Sequence, residues 1–107
     1  MIDWDQVLAL RTEIGAEAFD EVAALFLSEV AAALDALSPD APDLAAKLHF
    51  LKGSALDLGL RDFAALCSAG EAQAAAGARP DGLDRLRPLF DASRVALEQG
   101  LTECDTR

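Results

Sequence analysis

At 107 residues the chain has room for one domain, residues 1–107, and too few residues for two independent cores. Its 52% hydrophobic and 26% charged residues make a globular rather than a disordered composition, and nineteen acidic against nine basic side chains leave a formal charge of −10. That charge repels nucleic-acid phosphates and anionic membranes, and it favours a protein partner with a basic or apolar docking patch.

No stretch approaches the roughly 20 apolar residues of a membrane span. The start, Met1-Ile2-Asp3-Trp4-Asp5, has neither the basic residues nor the apolar run of a secretory signal, so a cytoplasmic chain is expected. Alanine and leucine dominate, tyrosine is absent and β-branched residues are scarce, which favours helix. Cys67 and Cys104 form no CxxC pair and are not expected to be bridged; Cys67, among apolar positions, reads as a small core residue.

Asp3 can cap a short first helix from about Trp4 to Ile14, closed by Gly15. A second helix is predicted from Ala16 to Leu37, its stripe of Phe19, Val22, Ala23, Phe26, Val30, Ala33 and Leu37 recurring at steps of three and four. Ser38-Pro39-Asp40-Ala41-Pro42 breaks it, and Pro42 suits the first turn of a third helix running to Leu58 and stopping at Gly59. A fourth helix is predicted from Asp62 to Gly77, with Phe63, Leu66, Cys67, Gly70 and Ala74 on one face. The fifth follows Arg79-Pro80-Asp81-Gly82 and runs through Leu101, with Pro88 predicting a kink or a late start. No strand pattern occurs, so the predicted fold is all-α: an antiparallel four-helix bundle with a short additional N-terminal helix.

The third helix carries the chemistry. At about 100° per residue, Leu44, Leu48, Leu51, Ala55 and Leu58 fall within roughly 80° of one another and form a core stripe. His49 lies about 140° from the centre of that stripe, with Ala45, Lys52, Gly53 and Leu56 beside it. This is an odd solvent face. Gly53 sacrifices about 1 kcal/mol of helix propensity relative to alanine and leaves the imidazole open on one side. Ala45 clears the turn before it, Lys52 sets a cation within reach of anything attached to the ring, and Leu56 is apolar where water is expected. Neutral imidazole is a nucleophile near pH 7, and a phosphoryl group on its nitrogen would bring negative charge that Lys52 can offset.

His49-Phe50-Leu51-Lys52-Gly53-Ser54, followed by Leu58-Gly59, resembles the His-x-Leu-Lys-Gly-Ser…Leu-Gly signature of histidine-containing phosphotransfer (HPt) domains of two-component phosphorelays. Gly15-Ala16-Glu17-Ala18-Phe19, leading into Leu25-Phe26-Leu27, is similar to the family's second helix, and the resemblance extends over most of the chain. It implies that His49 is phosphorylated, usually at Nε2, that Lys52 accompanies the phosphoryl group, and that Gly53 gives access to the ring. Ser54 and Gly59 match framework positions. Leu48, Phe50, Ala55 and Asp57 depart from common family residues, and Phe50 and Asp57 are expected to tune partner choice beside Ala45 and Leu56.

Other chemistries fit the residues poorly. One histidine and dispersed carboxylates make no ligand set at structural-zinc spacing. No Gly-x-x-x-x-Gly-Lys loop or kinase signature occurs, and Ser54, five residues from His49, points elsewhere on the helix. The expectation is therefore a monomeric phosphoryl carrier, dependent on partners for catalysis and holding no cofactor of its own. It would accept a phosphoryl group on His49 from a receiver domain or a hybrid histidine kinase and pass it to another receiver, with Mg²⁺ supplied by the receiver. The competing reading is a helical adaptor that binds through the same face and carries no phosphate.

Overall fold

The computed structural model describes residues 1–105, with side chains through residue 103. Among the described residues the chain forms five helices: α1 (Trp4–Ile14), α2 (Ala16–Asp35), α3 (Leu44–Asp57), α4 (Arg61–Ala75) and α5 (Leu83–Asp105). The last four close a ring, α2 on α3, α3 on α4, α4 on α5 and α5 on α2, while α1 lies against α2 and α3. This is the expected all-α bundle. No helix among the described residues is long and apolar enough to cross a membrane.

The core is the sum of the sequence stripes. Leu44, Leu48, Leu51, Ala55 and Leu58 of the third-helix stripe are all buried, as are Phe63 and Cys67 of α4 and Leu86, Phe90 and Leu97 of α5. Phe63 and Phe90 meet across the α4–α5 interface with ring centroids 5.6 Å apart. On α2 only Phe19, Ala23 and Val30 are buried; Val22, Phe26, Ala33 and Leu37 are half-buried at the margin. Burial pushes the Cys67 thiol up to about 12, which makes it an inert core residue. The expectation that it forms no disulfide involves Cys104, whose side chain lies outside the described ones.

Helix ends follow from local chemistry, with some shifts from the predicted bounds. Asp3 caps α1, its side chain accepting from the Gln6 N–H at 3.3 Å. Pro42 precedes α3 instead of opening it: it lies inside a turn closed by Leu44 N–H to the Ala41 carbonyl (3.2 Å), where a fixed φ and no N–H serve equally well. Helix α2 stops two residues before Leu37, and α4 runs from one residue before Asp62 to two before Gly77. At α5 the predicted late start does not occur. The helix begins at Leu83 and continues through Pro88. The hydrogen bond that proline removes, to the Asp84 carbonyl, falls between two exposed residues, where solvent can replace it.

The α3–α4 link decides how the functional helix is held. Gly59 N–H bonds to the Leu56 carbonyl (3.1 Å) and Leu60 N–H to the Ala55 carbonyl (2.8 Å), the Schellman pattern that ends a helix in one left-handed residue. Gly59 takes that position, with φ +75°. The N-terminal segment then pairs with this turn through Asp3 N–H to Gly59 (2.7 Å) and Arg61 N–H to Met1 (3.1 Å). Gln6 adds a bond from its side chain to the Asp57 carbonyl at 3.3 Å. The end of α3 is thereby anchored to α1 as well as to α4.

Candidate functional site

With one face of α3 committed to the core, the opposite face must point outward, and His49 lies on it with 67% of its side chain exposed. Gly53, one turn further on, is open: a Cβ built there meets no atom within 4 Å. Among the described residues no contact demands glycine at this position, and its φ is not left-handed. Leu56 (52% exposed) and Phe50 (44%) flank the histidine with unburied apolar surface, and Asp57 is exposed at the helix end. Ala45 is half-buried, on the flank turned toward α4.

Lys52 shares that flank, and the structure gives it a definite partner. Its Nζ lies 3.0 Å from Oε1 of Glu71 on α4. The other carboxylate oxygen, Oε2, lies 2.9 Å from His49 Nδ1. A single carboxylate thus joins the ring and the ammonium across two helices. The Lys52 hydrogen bond does most to hold the Glu71 carboxyl below the usual glutamate range; desolvation opposes it, and the weaker His49 hydrogen bond adds to the lowering. An ionised carboxylate only accepts hydrogen bonds, so the contact selects the tautomer with hydrogen on Nδ1 and leaves the lone pair on Nε2.

Packing explains why Glu71 reaches so far. Its neighbour Gly70 is buried in the α3–α4 interface, and a Cβ there would lie 3.2 Å from Cδ1 of Leu48. The missing side chain brings α4 close to α3 next to His49. Glu71 is the residue that the third-helix wheel alone does not reveal. The short link does carry a signal for it: His49 and Glu71 lie eleven residues before and after Leu60, so a tight antiparallel hairpin brings them level.

The chain's only two lysines both flank this histidine on α3. Lys47 is drawn to Asp43 at 3.8 Å, away from the ring. Neutral imidazole, Lys52 and Glu71 together carry no net charge, within a chain of formal charge −10. Among the described residues no group of three or more His, Cys, Asp or Glu side chains is placed to hold a metal ion. What the arrangement offers is an exposed, oriented nitrogen nucleophile on a rigid helix, with open approach over Gly53.

The family model of the Hpt domain matches residues 16–105, a span that takes in α2 through α5 and the whole α3 signature and leaves α1 outside it. Searches of curated proteins and of solved structures returned no match to the chain.

Proposed function

The chain belongs to the Hpt domain family, whose members serve histidine phosphotransfer in two-component signalling, and on that premise we propose that His49 is the phosphoacceptor of a multistep phosphorelay. The observation that carries this reading is the state of His49: two-thirds exposed, held at Nδ1 by Glu71, and uncrowded on the Gly53 side. In the transfer, the Nε2 lone pair attacks the phosphorus of a receiver's aspartyl phosphate. The N–P bond forms, the P–O bond to the aspartate breaks, and its electron pair returns to that carboxylate. The reverse sequence delivers the group to a second receiver.

Each proposed site residue has a distinct task. Gly53 admits the receiver's active site to the ring, and Lys52, paired with Glu71, keeps an ammonium within reach of the phosphoryl group. Leu56, Phe50, Ala45 and Asp57 form the contact surface, apolar at its centre and acidic at one edge. The charge of the phosphoryl group in flight is offset chiefly by Mg²⁺ in the receiver, and the carrier contributes the oriented nucleophile. One copy of the chain buries a continuous core of its own, which supports a monomer; a cytoplasmic location and a single carrier domain are part of the same proposal.

Phosphotransfer from a panel of phosphorylated receiver domains, with the wild type and His49→Gln side by side, tests the proposal. Acid-labile, base-stable label on the wild type and none on the variant is the expected result. No label from any receiver, on a folded protein that still binds one of them, would replace the carrier with an adaptor.

A further inference from the structure

The family match begins at residue 16 and leaves out α1, yet specific contacts seat α1 at one end of the bundle. Ile2 and Val7 are buried, and Asp3 and Gln6 bond to the turn that ends α3. At Gly100 of α5 a Cβ would run into the Trp4 ring, so the indole lies directly on that backbone. The other end of α1 is held quite differently. One residue, Gly15, joins it to α2, and a Cβ there meets no atom within 4 Å.

By its hydrogen bonds Gly15 belongs to both helices. Its N–H bonds to the Arg11 carbonyl at 2.9 Å, and its carbonyl accepts from the Phe19 N–H at 2.8 Å. Only its torsions, φ +90° and ψ +152°, turn the chain between them. They lie in a region open to glycine and all but closed to L side chains. With helical torsions at this one residue, α1 and α2 become a single helix from Trp4 to Asp35. The Ala16, Glu17 and Ala18 N–H groups, which no side chain caps, then gain the carbonyls of Thr12, Glu13 and Ile14. Straightening within one copy, however, gives up the seat of Trp4 and Val7.

We propose that α1 is an exchangeable strap: the chain straightens at Gly15 and seats its α1 on a second copy, forming a domain-swapped dimer. This goes beyond the carrier reading and uses no property of the histidine. A second copy is the occupant because it offers the same seat, complementary down to the missing side chains at Gly59 and Gly100. Every contact of α1 re-forms across the pair, so the two states differ at the hinge and in the entropy of association. Charge favours the monomer. Arg11 is the one basic side chain in the first 35 residues, against Glu13, Glu17, Asp20 and Glu21 around the hinge. A swapped pair brings two such hinges together, and salt relieves their repulsion.

Gly15→Ala separates the two states, because alanine disfavours the turn and favours the helix at the same residue. Light scattering is expected to show the wild type as a monomer when dilute. Refolded from denaturant at high concentration, it should yield a dimer fraction that grows with salt and reverts slowly on dilution. Gly15→Ala should dimerise about a hundredfold more tightly or better, since the bias acts at both hinges of the pair. The chain has a single tryptophan, so its ring signals report on the strap alone. In dimers mixed from ¹³C-labelled and unlabelled chains, Trp4 of one copy should show a nuclear Overhauser contact to Gly100 of the other. A Gly15→Ala protein that is folded and monomeric at every concentration overturns the proposal. So does a dimer in which Trp4 touches only the Gly100 of its own chain. Should Gly15→Ala not fold, the wild type decides alone: refolding at high salt and concentration that yields only monomer rules out the exchange.

Discussion

Two glycines six residues apart at the functional helix have opposite surroundings. A Cβ at Gly59 would lie 2.7 Å from the Asp3 carbonyl oxygen and 2.8 Å from Cγ2 of Val7, on a backbone with φ +75°. A Cβ at Gly53 would meet nothing within 4 Å, on ordinary helical backbone. The fold itself requires the first glycine: it closes α3 and lets the N-terminal segment dock. Nothing among the described residues requires the second, whose cost in helix propensity is not repaid by packing. The same division runs along the whole of α3, where Leu48, Leu51 and Ala55 are fully buried and His49, Gly53 and Leu56 are exposed. A residue that the chain's own packing does not account for points to a demand from outside it, here room for a partner beside the ring.

Substitutions on each side of this divide sharpen it. The largest loss is expected from Leu51→Ala on the core face, about 2–5 kcal/mol of stability by denaturant unfolding, because the surrounding leucines close only partly around the space. Gly59→Ala comes next, at about 2 kcal/mol or more, from the left-handed backbone together with the clash at Asp3. Gly53→Ala should change sign. It is expected to stabilise the protein by about 0.5–1 kcal/mol while slowing phosphotransfer about tenfold or more, because a methyl beside the ring displaces the incoming aspartyl phosphate. If Gly53→Ala gained stability and transferred phosphate at the wild-type rate, the contrast between the two glycines would lose its functional half.

The sequence discloses these two faces unequally. Periodicity shows the core face of α3 in full, because burial on a helix is a matter of angle, and Leu44, Leu48, Leu51, Ala55 and Leu58 are each buried as the wheel requires. It also shows the outward direction of His49 and the openness at Gly53, which depend on α3 alone. Glu71 is harder to see, since its contact depends on the register of α4 against α3, fixed by the Schellman turn at Gly59 and the close approach at Gly70. Lys52 illustrates the same limit: the wheel places it beside the ring, and only the neighbouring helix shows that a carboxylate already holds it. Of the two outcomes that Pro88 predicts, the late start does not occur, and for a different reason. The rule that proline breaks helices weighs one lost hydrogen bond, and on an exposed stretch that loss is smaller than the gain from burying Leu86 and Phe90 on either side.

The smallest expected effect concerns pH, and it tests whether the Glu71 bridge persists in solution. The Glu71 carboxyl is held below its ordinary value, first by the Lys52 hydrogen bond and then by His49. A depressed folded value means that the bridge contributes to stability above the unfolded glutamate value and loses that contribution as pH falls through the folded one. The Nδ1–H bond to Glu71 should fail when the carboxylate itself takes up a proton. The Glu71 carboxyl ¹³C signal followed against pH should therefore titrate with a midpoint below that of an unperturbed glutamate. Lys52→Met should raise that midpoint more than His49→Gln does, in the order of the two contributions. A midpoint at the ordinary value in the wild type would mean that the bridge does not persist in solution, and it would leave the open face of α3 with an exposed histidine that nothing orients.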